Sequence, residues 1–406
     1  MCEARAMSGG GDRLVVALDA TPLLGVRTGV GAFCAGALEA VGSRPDLDVA
    51  AFAVSWRRRR GIVGQLPPGV RAVDAAMPAR PVHLAWRALG SPAIEWWTGR
   101  LDVVHGTNFV VPPTRRAAQV VTVHDLTTVR FPEMASGTTA QFPALVRRAL
   151  DRGAWVHTPS AFVANEVVEL LGADPERVRA IHHGISQHGV STHTRAGRSA
   201  RAPAGASHQA AGADPDLVGL RVKRPYLLAL GTVEPRKDLG SLVRAFDALA
   251  STHRDLCLVV AGPDGWGTAA FEAAVAAATH RERVIRVGYV DPATRDLLLA
   301  GAAVFAYPSR YEGFGFPPLE AMAAGVPVVT TTAGALPEVV GDGAELVEVG
   351  DSQGLAAAID RLLSDEVART ALVARGTHRV RTFSWETCGA GLAQLYWDAA
   401  GVRVAA

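Results

Sequence analysis

The sequence predicts an α/β protein with two doubly wound, Rossmann-like domains that face a central cleft. At 406 residues the chain is longer than a single hydrophobic core usually serves. Short apolar runs alternate with helical patterns twice along it, as expected for parallel sheets covered by helices on both faces. Ligands of such sheets bind at the carboxyl ends of the strands, so we expect the site there.

The two alternating series are separated by a segment with almost no large apolar side chains. We therefore assign residues 13–186 to an N-terminal domain and residues 187–221 to a flexible linker or loop. Residues 222–383 form the C-terminal domain, and a last helix follows over 384–400.

In the first half, apolar runs ending in polar residues predict strands over 14–19, 49–54, 102–105, 120–123, 155–158 and 178–181. A helix is expected over 161–171, with Ser160 as its N-cap. In the second half, the same patterns predict strands over 226–230, 256–261, 284–287, 304–307, 326–331 and 347–349. The helices expected there cover 239–250, 268–279, 294–300, 352–363, 365–377 and 385–399.

Composition narrows the class of protein. A net charge of +2 argues against a nucleic-acid partner. The four cysteines are scattered, which indicates neither a disulfide framework nor a zinc site and favours the reducing cytoplasm. The first dozen residues lack the apolar core of a signal peptide, and no apolar run is long enough to span a membrane. Any membrane contact is therefore expected to be peripheral.

The stretch 307–325, YPSRYEGFGFPPLEAMAAG, carries the most specific pattern. It leaves a buried strand, passes Glu312, and enters a helix begun by Pro317 and Pro318, where proline is tolerated. Glu320 is expected in the first turn of that helix. Two carboxylates that bracket a glycine-rich helix start predict that one reaches the far end of a ligand and the other a pair of hydroxyl groups nearer the helix.

Gly313 and Gly315 leave the backbone bare where the free N–H groups of the helix start converge. This arrangement suits an anion such as a phosphate. Arg236 and Lys237 follow the first strand of the second half and suit a pyrophosphate, arginine through its fork and lysine as a point charge.

Glycines at 25, 29 and 31 open the first helix and suit close approach to a phosphate or sugar. A dinucleotide fingerprint would need a glycine at position 34, which is Cys34, and a tighter turn after the strand. A dehydrogenase is therefore disfavoured. Asp46 and Asp48 form a D-x-D pattern typical of metal-dependent sugar transfer, but they lack partners, and we reject that role.

Residues 56–97 combine an arginine run, 57–60, with four of the eight tryptophans. Aromatic rings beside basic residues suit an anionic membrane surface. A solvated arginine loop beside core tryptophans explains the same pattern, and both interpretations stay open.

His124, at the end of a strand, can donate to a substrate group or act as an acid or base. With these residues in place, the chain resembles the retaining glycosyltransferases of family four, which have the GT-B fold. The resemblance runs from residue 14 to about 400, with 187–221 as its poor region. Its motifs are the glycine loop 29–31, VVTVHDLT (120–127), TPSAFVANEVVELLGADPERVRAIHHGI (158–185), LALGTVEPRKDL (228–239), AGPDGWG (261–267), GYV (288–290) and YEGFGFPPLEAMAAGVPVV (311–329).

The resemblance implies roles for matching positions. His124 would contact the transferred sugar near its anomeric carbon, and Arg236 and Lys237 would hold the diphosphate. Glu312 would bind hydroxyl groups of the donor sugar. The first domain would bind the acceptor and the second the nucleotide sugar, with the last helix crossing back to the first domain. Relatives often place an arginine where this chain has Thr232, so the diphosphate would depend more on Arg236.

Further donor contacts implied by the resemblance are Gly29, Gly31, Phe314 and Gly315 at the diphosphate, Glu320 at the ribose, and Tyr289 and Val290 near the base. Thr107, Asn108 and Asp125, at strand ends of the first half, are assigned to acceptor binding.

The expected activity is a retaining hexose transfer that needs neither metal nor other cofactor, because cations and a helix N-terminus can stabilise the leaving diphosphate. No carboxylate of the first domain suggests itself as a covalent nucleophile, which favours same-face attack with the proton passing to the leaving group. The motifs look most like bacterial mannosyltransferases that use GDP-mannose in polysaccharide biosynthesis.

UDP-glucose, TDP-rhamnose or similar donors, and a silent nucleotide- or glycan-binding relative, remain alternatives. The expected partners are a nucleotide sugar and a glycan or lipid-linked acceptor. The expected location is the cytoplasm, with the inner membrane surface as a contact that residues 56–97 leave open.

Overall fold

The computed structural model describes residues 13–25, 29–134, 139–185 and 219–401. By contacts the chain forms two compact units: the first runs to Gly184 and resumes at Phe383, and the second runs from Ile185 to Thr382. Most of the predicted linker, residues 187–218, lies outside the described residues.

The first unit is a parallel sheet with helices packed on it. Its strands are β1 Leu14–Asp19, β2 Leu47–Phe52, β3 Val70–Ala72, β4 Val103–Gly106, β5 Ala118–Thr122, β6 Trp155–Thr158 and β7 Val178–Ala180. Its helices are α1 Gly29–Gly42, α2 Ala79–Leu89, α3 Glu95–Thr98, α4 Thr127–Arg130, α5 Phe142–Asp151 and α6 Ala161–Leu171.

In the described residues this sheet has seven strands in the order β3-β2-β1-β4-β5-β6-β7. The ends of β1, β4 and β5 are therefore neighbours at one edge of the sheet. The predicted strand 14–19 is confirmed, while the next strand begins and ends two residues earlier than the predicted 49–54. Ser160 caps α6 as expected, its hydroxyl accepting from the Val163 N–H at 3.2 Å.

The last helix, Trp385–Ala399, belongs to the first unit and packs on α1. Its close approach depends on small residues, since a side chain on Gly36 would overlap the Trp385 ring. A Cβ on Gly389 would lie 2.7 Å from Cβ of Ala40. The predicted helix 385–399 is confirmed in both bounds.

The second unit contains a second parallel sheet. Its strands are β8 Tyr226–Leu230, β9 Cys257–Ala261, β10 Val284–Gly288, β11 Val304–Tyr307, β12 Val328–Thr331 and β13 Glu345–Val347. Its helices are α7 Leu239–Ala250, α8 Thr268–Ala277, α9 Pro292–Gly301, α10 Phe316–Ala323, α11 Leu336–Val340, α12 Ser352–Ser364 and α13 Glu366–Arg379. The strand order is β10-β9-β8-β11-β12-β13, so the loops after β8 and β11 are neighbours.

Helices α2, α3, α4, α5 and α11 and strand β3 were not predicted. The two longest of these helices, α2 and α5, each carry a proline, Pro81 and Pro143, that interrupts the apolar pattern. In both helices the proline lies in the first turn, where its missing N–H breaks no hydrogen bond.

Candidate active site

The second unit buries Glu312 between two cations at the carboxyl edge of its sheet. Glu312 follows β11, and only 7% of its surface is exposed. Its Oε1 accepts from Nζ of Lys237 at 2.7 Å, and its Oε2 lies 2.6 Å from Nη1 of Arg236. The sequence predicted all three as site residues, and they form one cluster.

Neighbouring strand ends bring the cluster together. Arg236 and Lys237 lie on a 3₁₀ turn, Pro235–Lys237, that follows β8, and β8 pairs with β11. Lys237 also donates to the Tyr307 hydroxyl, and its ammonium lies 4.4 Å from the centre of the Tyr307 ring. A buried lysine with these partners is held in one place.

The pKa values show how strongly these groups depend on one another. Burial tends to raise the pKa of Glu312, but the charges of Arg236 and Lys237 outweigh it and lower the pKa to about 2. Burial lowers the pKa of Lys237, and the Glu312 carboxylate opposes that shift. Glu312 is therefore ionised across the neutral range, and removing it would take away the carboxylate that pairs with the buried Lys237.

A fourth residue, Glu234, completes the cluster and was missed by the sequence argument. Its Oε1 accepts from Nη2 of Arg236 at 2.7 Å, and Arg236 also donates to the Tyr311 carbonyl at 2.8 Å. With Glu234 the two cations face two carboxylates. The sequence signal for this contact was the position of Glu234 directly before Pro235 and two residues ahead of Arg236. Side chains two residues apart on a tight turn can meet.

The loop to α10 has the backbone geometry expected for a close approach. Gly315 has φ +124°, and a Cβ there would lie 3.0 Å from Cδ2 of Leu336. Phe314 is buried and packs edge-on against Phe316, with ring centres 5.2 Å apart. Glycine at 315 is therefore required by conformation.

Glu320 was expected in the first turn of α10, and this is wrong. The helix begins at Phe316, so Glu320 is its fifth residue and lies in the second turn. Its Oε1 is 3.3 Å from Nη1 of Arg295 on α9. Burial raises the pKa of Glu320, while the Arg295 charge opposes the shift.

The two predicted base contacts of the second unit differ in exposure. Tyr289 and Val290 follow β10, Tyr289 with 62% of its surface exposed and Val290 half-buried.

Gly334, which no motif indicated, packs against the Glu312 backbone, and the Ala335 N–H donates to the Glu312 carbonyl at 2.9 Å. The loop that contains Gly334 and Ala335 therefore holds the Glu312 backbone in place.

In the first unit, His124 follows β5 and is half-buried. Its Nε2 lies 2.8 Å from the Thr107 carbonyl. A carbonyl can only accept, so Nε2 carries the proton and Nδ1 of the neutral ring can only accept. Burial lowers the pKa of His124, which favours this neutral form. Toward a ligand, Nδ1 of the neutral ring is therefore a hydrogen-bond acceptor, and of the roles expected from the sequence, donation to a substrate group would need the protonated ring.

The predicted acceptor residues differ in exposure. Thr107 is fully buried, and its hydroxyl donates to the Asp19 carbonyl at 2.6 Å, so it links two strand ends. Asn108 and Asp125 are half-buried. Oδ1 of Asp125 accepts from the Thr127 N–H at 2.9 Å. Because Asp125 is half-buried and Thr107 is fully buried, Asp125 is better placed to meet a ligand.

A buried polar chain beneath this edge was not predicted. Tyr396 of the last helix bonds Nδ1 of His105 at 2.8 Å, and Nε2 of His105 bonds the Thr122 hydroxyl at 2.7 Å. That hydroxyl is 2.9 Å from Nδ1 of His157. Phe33 stacks on His157 with ring centres 5.1 Å apart.

The glycine loop 29–31 is not a loop in its described part, because Gly29 and Gly31 lie in the first turn of α1. Residues 26–28 lie outside the described residues.

Among the described residues, no group of three histidine, cysteine or acidic side chains is placed to hold a metal ion. No helix within the described ranges is long and apolar enough to cross a membrane.

Comparison with known proteins agrees with this architecture. HepE of Anabaena in complex with UDP-glucose has a TM-score of 0.67 at 18% identity, covering 94% of this chain and 99% of that one. WaaG, a glycosyltransferase involved in lipopolysaccharide biosynthesis, has the same score, identity and coverage. Two parallel-sheet α/β domains of this kind define the GT-B fold, which confirms the predicted fold class.

Sequence comparison gives the family. Residues 35–188 match the family model Glycosyltransferase Family 4, and residues 214–379 match Glycosyl transferases group 1. O-antigen chain mannosyltransferase B of Escherichia coli is 31% identical over 289 residues, which is 70% of this chain and 71% of that protein. D-inositol 3-phosphate glycosyltransferase of Acidothermus cellulolyticus is 28% identical over 394 residues, covering 88% and 83%. The chain belongs to glycosyltransferase family 4 and is a glycosyltransferase.

Proposed function

We propose that the protein is a retaining, metal-independent hexosyltransferase that moves mannose from GDP-mannose to a hydroxyl group of a glycan or lipid-linked acceptor. The observation that carries the proposal is the buried cluster of Glu312 with Arg236 and Lys237. The E. coli mannosyltransferase supports mannose as the sugar. HepE, solved with UDP-glucose, supports a nucleotide sugar as the donor class.

The cluster has the groups that a leaving diphosphate requires. When the bond from the anomeric carbon to the phosphate breaks, its electron pair goes to the diphosphate, and cations already in place stabilise that charge without rearranging. Lys237 has three N–H donors, and Glu312 and the Tyr307 hydroxyl occupy two of them. One donor therefore remains for a phosphate oxygen.

Glu312 can serve the sugar at the same time. Each carboxylate offers about four lone-pair positions, and the two cations use part of that capacity. Hydroxyl groups of the transferred sugar would donate to the remaining positions. In this proposal Glu320 binds the ribose and Tyr289 and Val290 border the base.

For the first unit we propose that Nδ1 of neutral His124 accepts a hydrogen bond from a hydroxyl group of the transferred sugar. Retention by same-face attack forms the bond from the acceptor oxygen to the anomeric carbon while the proton passes to the leaving diphosphate. The sequence suggested no carboxylate of the first domain as a covalent nucleophile, and the structure places two aspartates, Asp19 and Asp125, at this edge. Trapping a sugar adduct on either aspartate would overturn same-face attack.

The first unit, to which we assign the acceptor, also exposes large apolar side chains that suit a lipid-linked substrate. In the described part of the first unit, every large apolar side chain that is exposed lies between residues 56 and 96. They are Trp56, Val63, Leu84, Leu89 and Trp96. With the nearby arginines, this surface supports contact with the cytoplasmic face of an anionic membrane.

The test is donor hydrolysis by purified protein with GDP-, UDP-, ADP- and TDP-sugars, reading the released nucleoside diphosphate with and without EDTA. We expect release from GDP-mannose that EDTA does not change and that Glu312→Gln abolishes. Glu282→Gln, an exposed glutamate of the same unit, is the control and should match wild type.

Each other result has a definite meaning. Release from UDP-glucose or TDP-rhamnose alone would replace mannose as the sugar, and loss with EDTA would overturn the metal-free mechanism. Nucleotide binding without release, even with glycan acceptors added, would indicate a silent binding relative. An inverted anomeric configuration in the product, read by NMR, would overturn retention.

A further inference from the structure

The last residue of β1, Asp19, is a buried acid that no motif indicated. Only 8% of its surface is exposed. Its Oδ1 accepts from the Thr21 N–H at 2.8 Å and from the Thr21 hydroxyl at 2.5 Å. Within the described ranges, no hydrogen bond reaches Oδ2 and no cationic side chain forms an ion pair with Asp19.

The backbone ties Asp19 to the catalytic edge of the first unit. Its carbonyl accepts from the Thr107 hydroxyl at 2.6 Å, and the Thr107 carbonyl accepts from Nε2 of His124 at 2.8 Å. Asp19, Thr107 and His124 end or follow three adjacent strands, β1, β4 and β5. Asp19 therefore belongs to the same edge as His124 and Asp125.

The contacts with Thr21 do not require a charge at position 19. An asparagine oxygen would accept both of them equally well. Keeping a carboxylate in a buried place without a cation costs free energy, and burial raises the pKa of Asp19 to about 6, with the two Thr21 bonds opposing the shift. At neutral pH the group is still mainly ionised, so Oδ2 is an acceptor that the described residues leave unused.

We propose that Oδ2 of Asp19 binds a non-reacting hydroxyl group of the sugar acceptor and thereby positions the acceptor for transfer. A hydroxyl is the ligand that fits best, because it supplies one proton to one oxygen and needs no counter-charge. The inference rests on the proposed function and assigns this residue to the acceptor rather than the donor. The proton of the reacting hydroxyl still passes to the leaving diphosphate.

The test compares wild type with Asp19→Asn, which keeps the Oδ1 contacts and replaces only the accepting Oδ2. The acceptor probes are the methyl glycosides of mannose, glucose, galactose and rhamnose, and donor hydrolysis is measured without them. We expect the KM of the glycoside that accepts to rise about 10- to 100-fold, since hydrogen bonds to charged groups are the strong ones. The kcat/KM for donor hydrolysis should stay within about twofold.

Asp174→Asn is the matched control. Asp174 makes the same turn, its Oδ1 accepting from the Glu176 N–H at 3.0 Å, but it precedes β7 and so lies at the opposite edge of the sheet. Asp19→Asn should melt at or above the wild-type temperature, because it removes the cost of the buried charge. Asp174→Asn should melt like wild type and leave the glycoside KM unchanged.

An unchanged glycoside KM in Asp19→Asn would overturn the inference, and so would a wild type that glycosylates none of the probes. A raised donor KM in hydrolysis would move Asp19 to the donor sugar, which also overturns it. If wild type releases no nucleotide from any donor, the proposed function itself fails, and that result is distinct from the others.

Discussion

Lys237 donates to Oε1 of Glu312 at 2.7 Å, and both side chains are about nine-tenths buried. A buried ion pair of this kind costs desolvation on both sides, so it is weak evidence for a stabilising role. A donor-binding role explains it better, since the lysine is then already in place for a diphosphate. We therefore expect Lys237→Gln to lower kcat for nucleotide release by about a hundredfold or more.

The chain provides an unusually clean control for this variant, because the sequence contains only one other lysine, Lys223. Lys223 is exposed and lies in the same unit. Lys223→Gln should leave kcat and KM unchanged. Equal rates for Lys237→Gln and wild type, measured at saturating donor, would show that Arg236 alone stabilises the leaving group.

Gly334 controls the position of Glu312 without touching its side chain. Gly334 has φ +57°, and a Cβ there would overlap the Glu312 carbonyl and lie 2.9 Å from its nitrogen. We expect Gly334→Ala to raise the donor KM and lower kcat, because the Glu312 backbone must move. The measurement is donor hydrolysis kinetics beside a thermal melt.

Gly325 supplies the matched variant. Its φ is +72°, and a Cβ at that position would have no atom within 4 Å. Gly325→Ala therefore carries the same conformational cost, about 1 kcal/mol, without displacing Glu312. If both variants lose the same activity, backbone strain rather than Glu312 placement is responsible.

Much of the fold and the second-unit cluster could be predicted from the sequence. Continuous apolar runs defined β1, β8 and β11 because parallel strands are buried on both faces. Glu312 and Lys237 were both predicted as site residues from two motifs that follow strands, although the ion pair between them was not predicted. These are local patterns, so periodicity and spacing were sufficient for them.

Other features depend on tertiary contacts that spacing does not encode. Tyr396 meets His105 from 291 residues away, and nothing in either sequence neighbourhood indicates it. Asp19 was overlooked because it ends an apolar strand without a motif, and its burial depends on β2 and β4, which flank β1 in the sheet. Helix α2 was missed because Pro81 obscured its pattern.

The buried histidines of the first unit predict a loss of stability in acid. Burial lowers the pKa values of His105, His157 and His183, that of His157 to about 3. A histidine whose folded pKa is below its unfolded value stabilises the fold above about pH 6.5, and this contribution is lost as the pH falls. Each such group should remove about 1.4 kcal/mol of unfolding free energy per pH unit below that value.

The measurement is urea unfolding between about pH 7 and about pH 5 for wild type and His157→Gln. Glutamine can keep contacts with the Thr122 hydroxyl and the Ile181 carbonyl, so the variant should fold. Its stability should fall less steeply with acid than that of wild type, by one histidine's share. His378→Gln, an exposed site in the second unit, should reproduce the wild-type slope, and a His157→Gln slope equal to wild type would contradict the assignment.

The exposed aromatic and basic residues of the first unit predict binding to anionic membranes. Trp56 and Trp96 have 59% and 67% of their surfaces exposed, which leaves their rings available to an interface. Two arginines of the run 57–60 form ion pairs within the unit, because Arg59 and Arg60 lie 2.9 and 3.2 Å from the Asp74 carboxylate. Arginines and indole rings together favour the headgroup region of a negatively charged bilayer.

Cosedimentation with vesicles of phosphatidylcholine, with and without phosphatidylglycerol, tests this surface. We expect binding that requires the anionic lipid, weakens with salt, and falls several-fold in the Trp56→Ala, Trp96→Ala double variant. Trp266→Ala is the control, because Trp266 is also 59% exposed but lies in the second unit. Equal loss in the control would mean that any exposed tryptophan contributes. Binding that does not depend on the lipid charge would contradict an electrostatic role for the arginines. A donor-hydrolysis rate that stays constant in every variant would separate membrane contact from the chemistry at Glu312.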